Sequence, residues 1–225
     1  MALIELKSVT KIYPLGSQEV IAVDDFSLSI EAGEFSVLAG PSGSGKTTLL
    51  NLIGCLDQPT RGEIWLDGGE VGHANQKTLS ELRLRKIGFI FQAYNLIPVL
   101  TAAENAEFTL MLQRVGKKQR RERVLQLFSL LGLDGLENRK PSDLSGGQQQ
   151  RVAIARAMAS NPTVILADEP TASLDSHTSE ELLALMQRLN EEQGATFIFS
   201  SHDPLVISHA KRVVRLLDGH LESDQ

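Results

Sequence analysis

The sequence has 225 residues, of which 42% are apolar, and it carries a formal net charge of −6 at pH 7. This apolar share can supply the core of one α/β domain, which excludes intrinsic disorder as the default state. The acidic balance excludes nucleic acid and anionic lipid as partners held by bulk charge.

Targeting and cysteine signals are few. The sequence contains no apolar run near the roughly 20 residues that cross a bilayer, and its first residues lack the apolar stretch of a signal peptide, so we expect a cytoplasmic protein. The one cysteine, Cys55, excludes an intrachain disulfide and a multi-cysteine metal site. Its apolar surroundings predict a packed core thiol.

The first elements in the chain are predicted strands. Apolar and polar residues alternate most clearly at 26–30, which is typical of half-buried antiparallel strands. A buried strand at 35–39 then runs into a glycine-rich turn and a helix at 45–54. Two more strands are expected at 62–68 and 87–91.

A long helical block follows these strands. From residue 93 to 160 the apolar residues have helical spacing, with amphipathic candidates at 104–114 and 120–131 and a helix at 149–158. We therefore expect an inserted helical subdomain.

The strand pattern resumes after residue 160. Apolar segments at 163–167, 196–200 and 213–217 predict three strands, and a helix at 178–192 separates the first two. Alternating strands and helices indicate a mainly parallel sheet that is covered on both faces and binds ligands at the carboxyl ends of its strands.

The glycine-rich turn after the strand at 35–39 matches the phosphate-loop pattern G-x-x-x-x-G-K-[ST] in full. Glycines let the backbone wrap around phosphate oxygens, and amides at a helix start point at such anions. Lys46 would reach the β- and γ-phosphates as a catalytic cation, and the Thr47 hydroxyl would coordinate magnesium. Nucleotide contacts are expected along the whole segment, from Gly40, Pro41, Ser42, Gly43, Ser44, Gly45, Lys46, Thr47 and Thr48. The loop alone leaves a GTPase, a kinase or any other P-loop enzyme open.

A pair of carboxylates follows the predicted strand at 163–167. In a parallel sheet, Asp168 and Glu169 would lie beside the phosphate loop. Asp168 would hold the magnesium shell, and Glu169 would polarise the attacking water as a general base.

A second anion site is predicted before the helix at 149–158. Ser145, Gly146, Gly147 and Gln148 would place a hydroxyl, free amides and the positive end of the helix dipole at one point. Because the chain already has a phosphate loop, this second site makes sense if it faces the γ-phosphate held by another molecule.

These residues resemble the signature of the ABC ATPases, and other motifs of that family occur in the expected order over essentially the whole chain. The resemblance implies that Tyr13 stacks on adenine and that Gln92 senses the γ-phosphate and binds magnesium. It also implies that Asp175, in the D-loop, contacts nucleotide and that His202 is the catalytic switch histidine.

The resemblance also implies a fold and its division. We expect an α/β P-loop NTPase (RecA-like) core with a mainly parallel sheet, an N-terminal antiparallel β subdomain and an inserted α-helical subdomain. Residues 1–225 would form a single ABC ATPase domain. Within it, 1–92 and 161–225 would make up the β subdomain and core, and 93–160 the helical signature subdomain.

Three stretches, 40–64, 87–107 and 144–176, are similar to the ATPases of lipoprotein-release and macrolide-export transporters. Ala172 and Ser201 depart mildly from that branch, which leaves the exact subgroup open. The branch implies ATP and Mg²⁺ as cofactors, a homodimer on ATP binding, and export or extraction rather than import.

The family also implies an integral-membrane permease, contacted through the Q-loop and the helical subdomain, which would hold the chain at the inner face of the cell membrane. Apolar side chains after Gln92 offer a surface for it: Tyr94, Leu96, Ile97 and Leu100. The transported substrate, whether lipoprotein, drug, peptide or a mechanical signal, stays open.

The main rival is a soluble ABC ATPase that acts on ribosomes or DNA. Such proteins usually carry two cassettes, long coiled-coil insertions or zinc-binding cysteines, and the sequence contains none of these. A GTPase would need an N-K-x-D motif, which is absent. The presence of Lys46, Asp168, Glu169 and His202 argues against a binding-only cassette.

Overall fold

The computed structural model describes residues 2–16 and 18–225, which form two β-sheets and seven α-helices within those ranges. The strands, in chain order, are β1 (Ile4–Leu15), β2 (Gln18–Ile30), β3 (Phe35–Ala39), β4 (Arg61–Leu66), β5 (Gly69–Glu70), β6 (Ile87–Phe91), β7 (Val164–Asp168), β8 (Phe197–Ser201), β9 (Arg212–Leu217) and β10 (His220–Asp224). The helices are α1 (Lys46–Ile53), α2 (Gln76–Lys86), α3 (Ala102–Leu112), α4 (Lys117–Leu130), α5 (Gly146–Ala159), α6 (Ser176–Gln193) and α7 (Pro204–His209).

The smaller sheet is antiparallel and has the strand order β2-β1-β4-β5. In β2, Phe26, Leu28 and Ile30 are buried and the serines between them are exposed, which confirms the alternation read from the sequence. In the β1–β2 pairing, Tyr13 lies opposite Val20. Tyr13 therefore lies close to the last pair of this ladder, Leu15 with Gln18.

The larger sheet has the order β10-β9-β3-β8-β7-β6 and is parallel except for β10. All five residues of β3 are buried, as expected for a central parallel strand covered on both faces. Because β3, β7 and β8 are neighbours and parallel, their carboxyl ends meet at one edge of the sheet. Residue 40, Glu169 and His202 follow these three ends.

The core consists of two apolar clusters, one on each face of the parallel sheet. One face packs against α3 to α6 and includes Phe35, Phe197 and Phe199, whose ring centroids lie 4.7 to 5.9 Å apart. The other face packs against α1 and the antiparallel sheet and includes Leu38 and Ile198. Burial of this apolar surface from two sides supplies the main stabilisation of the fold.

Several elements differ from the sequence-based predictions. The strands at 35–39 and 87–91 occur where they were predicted, but α2, α7 and β10 were not predicted. Helix α5 begins at Gly146 rather than 149, because Ser145 caps it, and α6 begins at Ser176 rather than 178, because Asp175 caps it.

The thiol of Cys55 is buried, as predicted, and burial raises its pKa to about 11. None of the helices in ranges 2–16 and 18–225 combines the length and hydropathy that a membrane-spanning segment requires.

Candidate active site

The phosphate loop joins β3 to α1 and needs glycine at two points of close backbone approach. A Cβ atom on Gly40 would lie 2.3 Å from the carbonyl oxygen of Leu216, and one on Gly45 would lie 2.4 Å from that of Ala22. Gly45 also has a φ of 100°, in the left-handed region that favours glycine. The loop is thus held between the end of β9 and β2, with its amides preceding α1.

The Lys46 side chain closes over this loop. Its Nζ atom donates hydrogen bonds to the carbonyl oxygens of Gly40, at 2.8 Å, and Pro41, at 2.9 Å. The residue is only 6% exposed, so these two carbonyls compensate a desolvated ammonium group. An incoming phosphate oxygen would offer the ammonium a charged acceptor in place of a neutral one.

An oxygen pair suited to magnesium lies beside the loop. The Thr47 hydroxyl donates to Oδ1 of Asp168 at 3.2 Å and thereby joins the start of α1 to the end of β7. Within the described residues there is no cluster of three or more His, Cys, Asp or Glu side chains that could hold a metal alone. Magnesium commonly takes one or two protein ligands and completes its shell with phosphate and water, so this pair fits it.

Both carboxylate oxygens of Glu169 are held by two residues at the end of β8, the strand's last residue and the one after it. The Nδ1 atom of His202 lies 2.7 Å from Oε1, and the Ser201 hydroxyl donates to Oε2 at 2.9 Å. Glu169 also has a φ of 46°, a left-handed conformation that is uncommon for a residue with a side chain. Sequence reasoning treated Ser201 only as a departure from the family pattern and missed this contact.

One cavity of about 440 Å³ gathers nine of the nineteen predicted site residues. Its predicted lining residues are Ser42, Gly43, Gly45, Lys46, Thr47, Thr48, Gln92, Glu169 and His202. Sequence reasoning missed Val20 and Ile21, which line the same cavity and are 44% and 54% exposed. Their signal was weak, because exposed β-branched residues are ordinary in an edge hairpin.

The predicted signature lies elsewhere in the chain. Ser145 caps α5 and exchanges hydrogen bonds with Gln148, at 3.3 Å from the Gln148 amide to Oγ and 3.0 Å from the Ser145 amide to Oε1. Ser145, Gly147 and Gln148 line a second cavity of about 240 Å³. This cavity has no lining residue in common with the phosphate-loop cavity.

Asp175 lies beside the signature rather than in the phosphate-loop cavity. Its carboxylate accepts hydrogen bonds from the amide and the hydroxyl of Thr178, at 2.9 and 2.7 Å, and these bonds lower its pKa. Thr178 in turn lines the signature cavity. The described residues of one copy therefore bring the phosphate loop, Gln92, Glu169 and His202 together, and place Ser145, Gly147 and Asp175 apart from them.

The segment after Gln92 is attached to α5. Arg156 donates to the carbonyl oxygens of Tyr94, at 2.8 Å, and Asn95, and both residues have left-handed φ angles of 57° and 51°. A Cβ atom on Gly146 would lie 2.9 Å from the Tyr94 hydroxyl oxygen. The segment thus contacts both the first turn and the far half of α5, which sequence reasoning did not foresee.

A lysine-closed glycine loop next to a strand end that carries adjacent carboxylates is the arrangement of P-loop nucleoside triphosphatases, and it defines the class of this protein. Residues 23–172 match the model of the ABC transporter family. The chain belongs to this family and is an ATP-binding cassette with ATPase activity. Membership excludes the kinase and GTPase alternatives.

Relatives agree with this assignment over the full length of the chain. An uncharacterised ABC transporter ATP-binding protein of Methanocaldococcus jannaschii, MJ0796, is 47% identical over 99% of this chain and 97% of its own length. The macrolide export ATP-binding/permease protein MacB of Photorhabdus laumondii is 47% identical over 99% of this chain but only 34% of its own length. A dimeric structure of MJ0796 in a post-hydrolysis state with ADP and Pi superimposes with a TM-score of 0.91, at 46% identity and 99% and 97% coverage of the two chains.

Proposed function

We propose that two copies of this chain pair head to tail on binding ATP and hydrolyse it at two sites, each shared between the copies. The separation of the two cavities within one copy carries this proposal. A γ-phosphate on one copy's loop would meet the Ser145 hydroxyl and the α5 amides only if a second copy supplied them. The dimeric MJ0796 structure with ADP and Pi supports the pairing of two copies.

The signature end of α5 suits an anion. Its first turn contains no acidic residue, so the helix dipole is not neutralised from within. Ser145 and Gln148 already satisfy one another, which keeps the turn ordered before a partner arrives. Pairing of the two copies would therefore require little local reorganisation.

We place the phosphate contacts on the loop and Lys46, which would exchange the carbonyls of Gly40 and Pro41 for β- and γ-phosphate oxygens. Thr47 and Asp168 would hold magnesium, with Gln92 as a further ligand. Bound magnesium would neutralise charge on the β- and γ-phosphates. Tyr13, at the hairpin edge, would stack on the base.

We assign Glu169 as the general base that orients the attacking water, and His202 as the group that stabilises charge on the γ-phosphate. Since His202 contacts Glu169 at 2.7 Å, it would have to leave Oε1 when the copies close. Ser201 would keep its bond to Oε2 and hold the carboxylate in place. Product release would remove the bridging charge between the copies and reopen them.

We further propose that an integral-membrane permease docks in a groove of about 410 Å³ that lies beside the segment after Gln92. Its lining is largely apolar and includes Leu56, Leu84, Phe89, Phe91 and Leu112. Leu56 and Leu112 are 48% and 53% exposed, which costs hydration free energy until a partner covers them. This partner would hold the chain at the inner face of the membrane, and MacB, whose name combines ATP-binding and permease, supports it.

The predicted apolar surface after Gln92 differs from this groove. Leu96 packs against the core cluster of the helices, and the Ile97 backbone is held by the Asn105 side chain at 2.7 and 3.1 Å. The groove residues are therefore better candidates for the permease contact.

We propose that residues 93–160 move as one subdomain against 1–92 and 161–225. This motion would couple nucleotide binding at the phosphate loop to permease binding in the groove.

A mixing experiment tests the shared site. Lys46→Ala and Ser145→Arg each disable a different half, so each variant alone should be inactive. In a mixed pair, one site would combine the intact loop of one copy with the intact signature of the other, and hydrolysis should recover in part. If mixed pairs form in ATP but hydrolyse no more than their parents, the shared site is wrong.

A further inference from the structure

Three side chains from β1 and the segment after α1 form a closed cluster. The Tyr13 hydroxyl donates to Oδ2 of Asp57 at 2.7 Å, and the Lys11 ammonium donates to Oδ1 at 2.6 Å. The same ammonium lies 4.9 Å from the centroid of the Tyr13 ring. Each member of the cluster thus contacts the other two, and both oxygens of Asp57 are engaged within it.

The cluster lies at the rim of the phosphate-loop cavity. Tyr13 is paired with Val20 across the hairpin, and Val20 lines the cavity. The side chain of Thr48, another lining residue, interacts with the Tyr13 hydroxyl and partly opposes the rise in its pKa. Tyr13 therefore neighbours lining residues of the cavity on both β2 and α1.

The charges of the cluster support its geometry. Burial alone would raise the pKa of Asp57, but hydrogen bonds from Lys11, Tyr13 and the Gln58 amide outweigh it, so the pKa is lowered and the carboxylate stays ionised at neutral pH. Burial and the bond to Asp57 raise the pKa of Tyr13, which keeps its hydroxyl a donor.

A fixed ring binds a base better than a free one. A tyrosine side chain loses rotamer freedom when a ligand stacks on it, and an anchor at the hydroxyl removes that loss from the binding step. Because Lys11 covers one face of the Tyr13 ring, a base can stack only on the other face. The cluster would therefore define both the position and the accessible side of the stacking surface.

We propose that Asp57 is a positioning residue that holds the Tyr13 ring, through its hydroxyl and Lys11, as a one-sided platform for the base of the nucleotide. This rests on the proposed stacking role of Tyr13. Asp57 acts through the ring and does not contact the nucleotide. Its contribution should appear in the binding of the base and should be absent for a ligand that has only phosphates.

Two substitutions break the anchor in different ways. Tyr13→Phe keeps the ring and removes the hydroxyl, and Asp57→Asn keeps the shape and removes the charge. Loss of a hydrogen bond to a charged group predicts that either change raises the Kd of ATP by roughly 5- to 50-fold. The Kd of magnesium tripolyphosphate should not change, because this ligand has no base.

The double variant should bind ATP no more weakly than the weaker single variant, because both changes remove the same link. Asp67→Asn is the matched control, since Asp67 pairs with Lys86 at 2.8 Å outside the cavity, and it should leave both Kd values unchanged.

Two results would overturn the proposal. A parallel loss of tripolyphosphate affinity would mean that Asp57 acts on the phosphate loop through Thr48, and unchanged ATP affinity in both folded single variants would mean that the ring needs no anchor. Tyr13→Ala tests the stacking role of Tyr13 separately from the shared hydrolytic site. If it leaves ATP affinity unchanged, the stacking role fails, while the mixing experiment above still decides on the shared hydrolytic site.

Discussion

The Nδ1 atom of His202 lies 2.7 Å from Oε1 of Glu169, so the proposed switch and the proposed base contact one another directly. This contact occupies the carboxylate oxygen that would orient water. It also depends on the neighbouring strands β7 and β8, in which Asp168 is paired with Ser200. The pair is therefore a product of sheet register, and a change on either strand end should alter the other residue's position.

Replacement of Glu169 by glutamine should separate ATP binding from hydrolysis. Loss of a general base predicts a fall in the hydrolysis rate of about 100-fold or more. The neutral side chain also removes a negative charge near the phosphates, so ATP should hold the copies together. Size-exclusion chromatography should give a dimer with ATP and a monomer with ADP, and a persistent monomer in ATP would contradict the shared site.

We expect Ser201 to affect the rate of hydrolysis only through its hydroxyl group. Ser201→Ala removes the bond to Oε2 of Glu169 at 2.9 Å and the bond that Oγ accepts from the Asp203 amide at 3.1 Å. We expect kcat to fall roughly 5- to 50-fold, with little change in ATP affinity. Ser201→Thr is the matched variant and should retain most activity, and equal losses in both would point to packing instead.

Gly147 packs tightly against the start of α6. A Cβ atom on Gly147 would lie 2.6 Å from the Cγ2 atom of Thr178, so Gly147→Ala should destabilise the fold by about 1–3 kcal/mol through overpacking. Thr178→Ser removes that methyl group and keeps the hydroxyl that bonds Asp175. In urea unfolding, Gly147→Ala should recover stability when Thr178→Ser is added, and additive losses would exclude this clash as the cause.

Leu112 should contribute to binding of the permease and not to ATP hydrolysis. It lines the apolar groove and is 53% exposed, so Leu112→Asp should leave the hydrolysis rate of the isolated chain unchanged and prevent copurification with a membrane protein. Leu125→Asp is the control, because Leu125 is 40% exposed on α4 and does not line the groove. Loss of the partner with both variants would argue against the groove.

Asp224 should make stability depend on acid pH. Arg212 donates to both of its oxygens, at 2.8 and 2.6 Å, and this interaction lowers the pKa of Asp224 below its unfolded value. The pair therefore contributes fully above the unfolded pKa of about 4 and loses its contribution as pH falls through the folded pKa.

Asp224→Asn isolates this contribution. Because the pair is partly exposed, the variant should lose only about 0.5–1 kcal/mol at pH 7, and the difference should shrink at about pH 3. Urea unfolding at both pH values measures it, and a difference that does not depend on pH would rule out the ion pair.

The sequence predicted those parts of the site whose chemistry restricts residue type over a short span. The phosphate loop, the carboxylates at the end of β7 and the cap of α5 each lie within a few residues, and apolar runs located β3 and β6 correctly. Helix α2 was missed because Leu79 is its only buried residue, so it has no apolar stripe. Its one local signal was Asn75, which caps it.

Contacts between distant segments could not be read from one sequence. Tyr13 and Asp57 are 44 residues apart, and Glu169 and Ser201 are 32 apart. Their pairing depends on hairpin and sheet register, which side-chain types alone do not specify. The same holds for Arg156, whose spacing on α5 is that of an ordinary basic residue, although its guanidinium joins that helix to the segment after Gln92.

The distance between the loop cavity and the signature cavity has a genetic consequence. If each catalytic centre draws half of its groups from either polypeptide, a copy with a ruined signature would silence the healthy loop of its neighbour. In a cell that makes both versions, each mixed pair would keep its second centre, in which the defective copy's loop meets the intact copy's signature. Activity would then fall only in proportion to the share of defective copies, so the allele would not act dominantly.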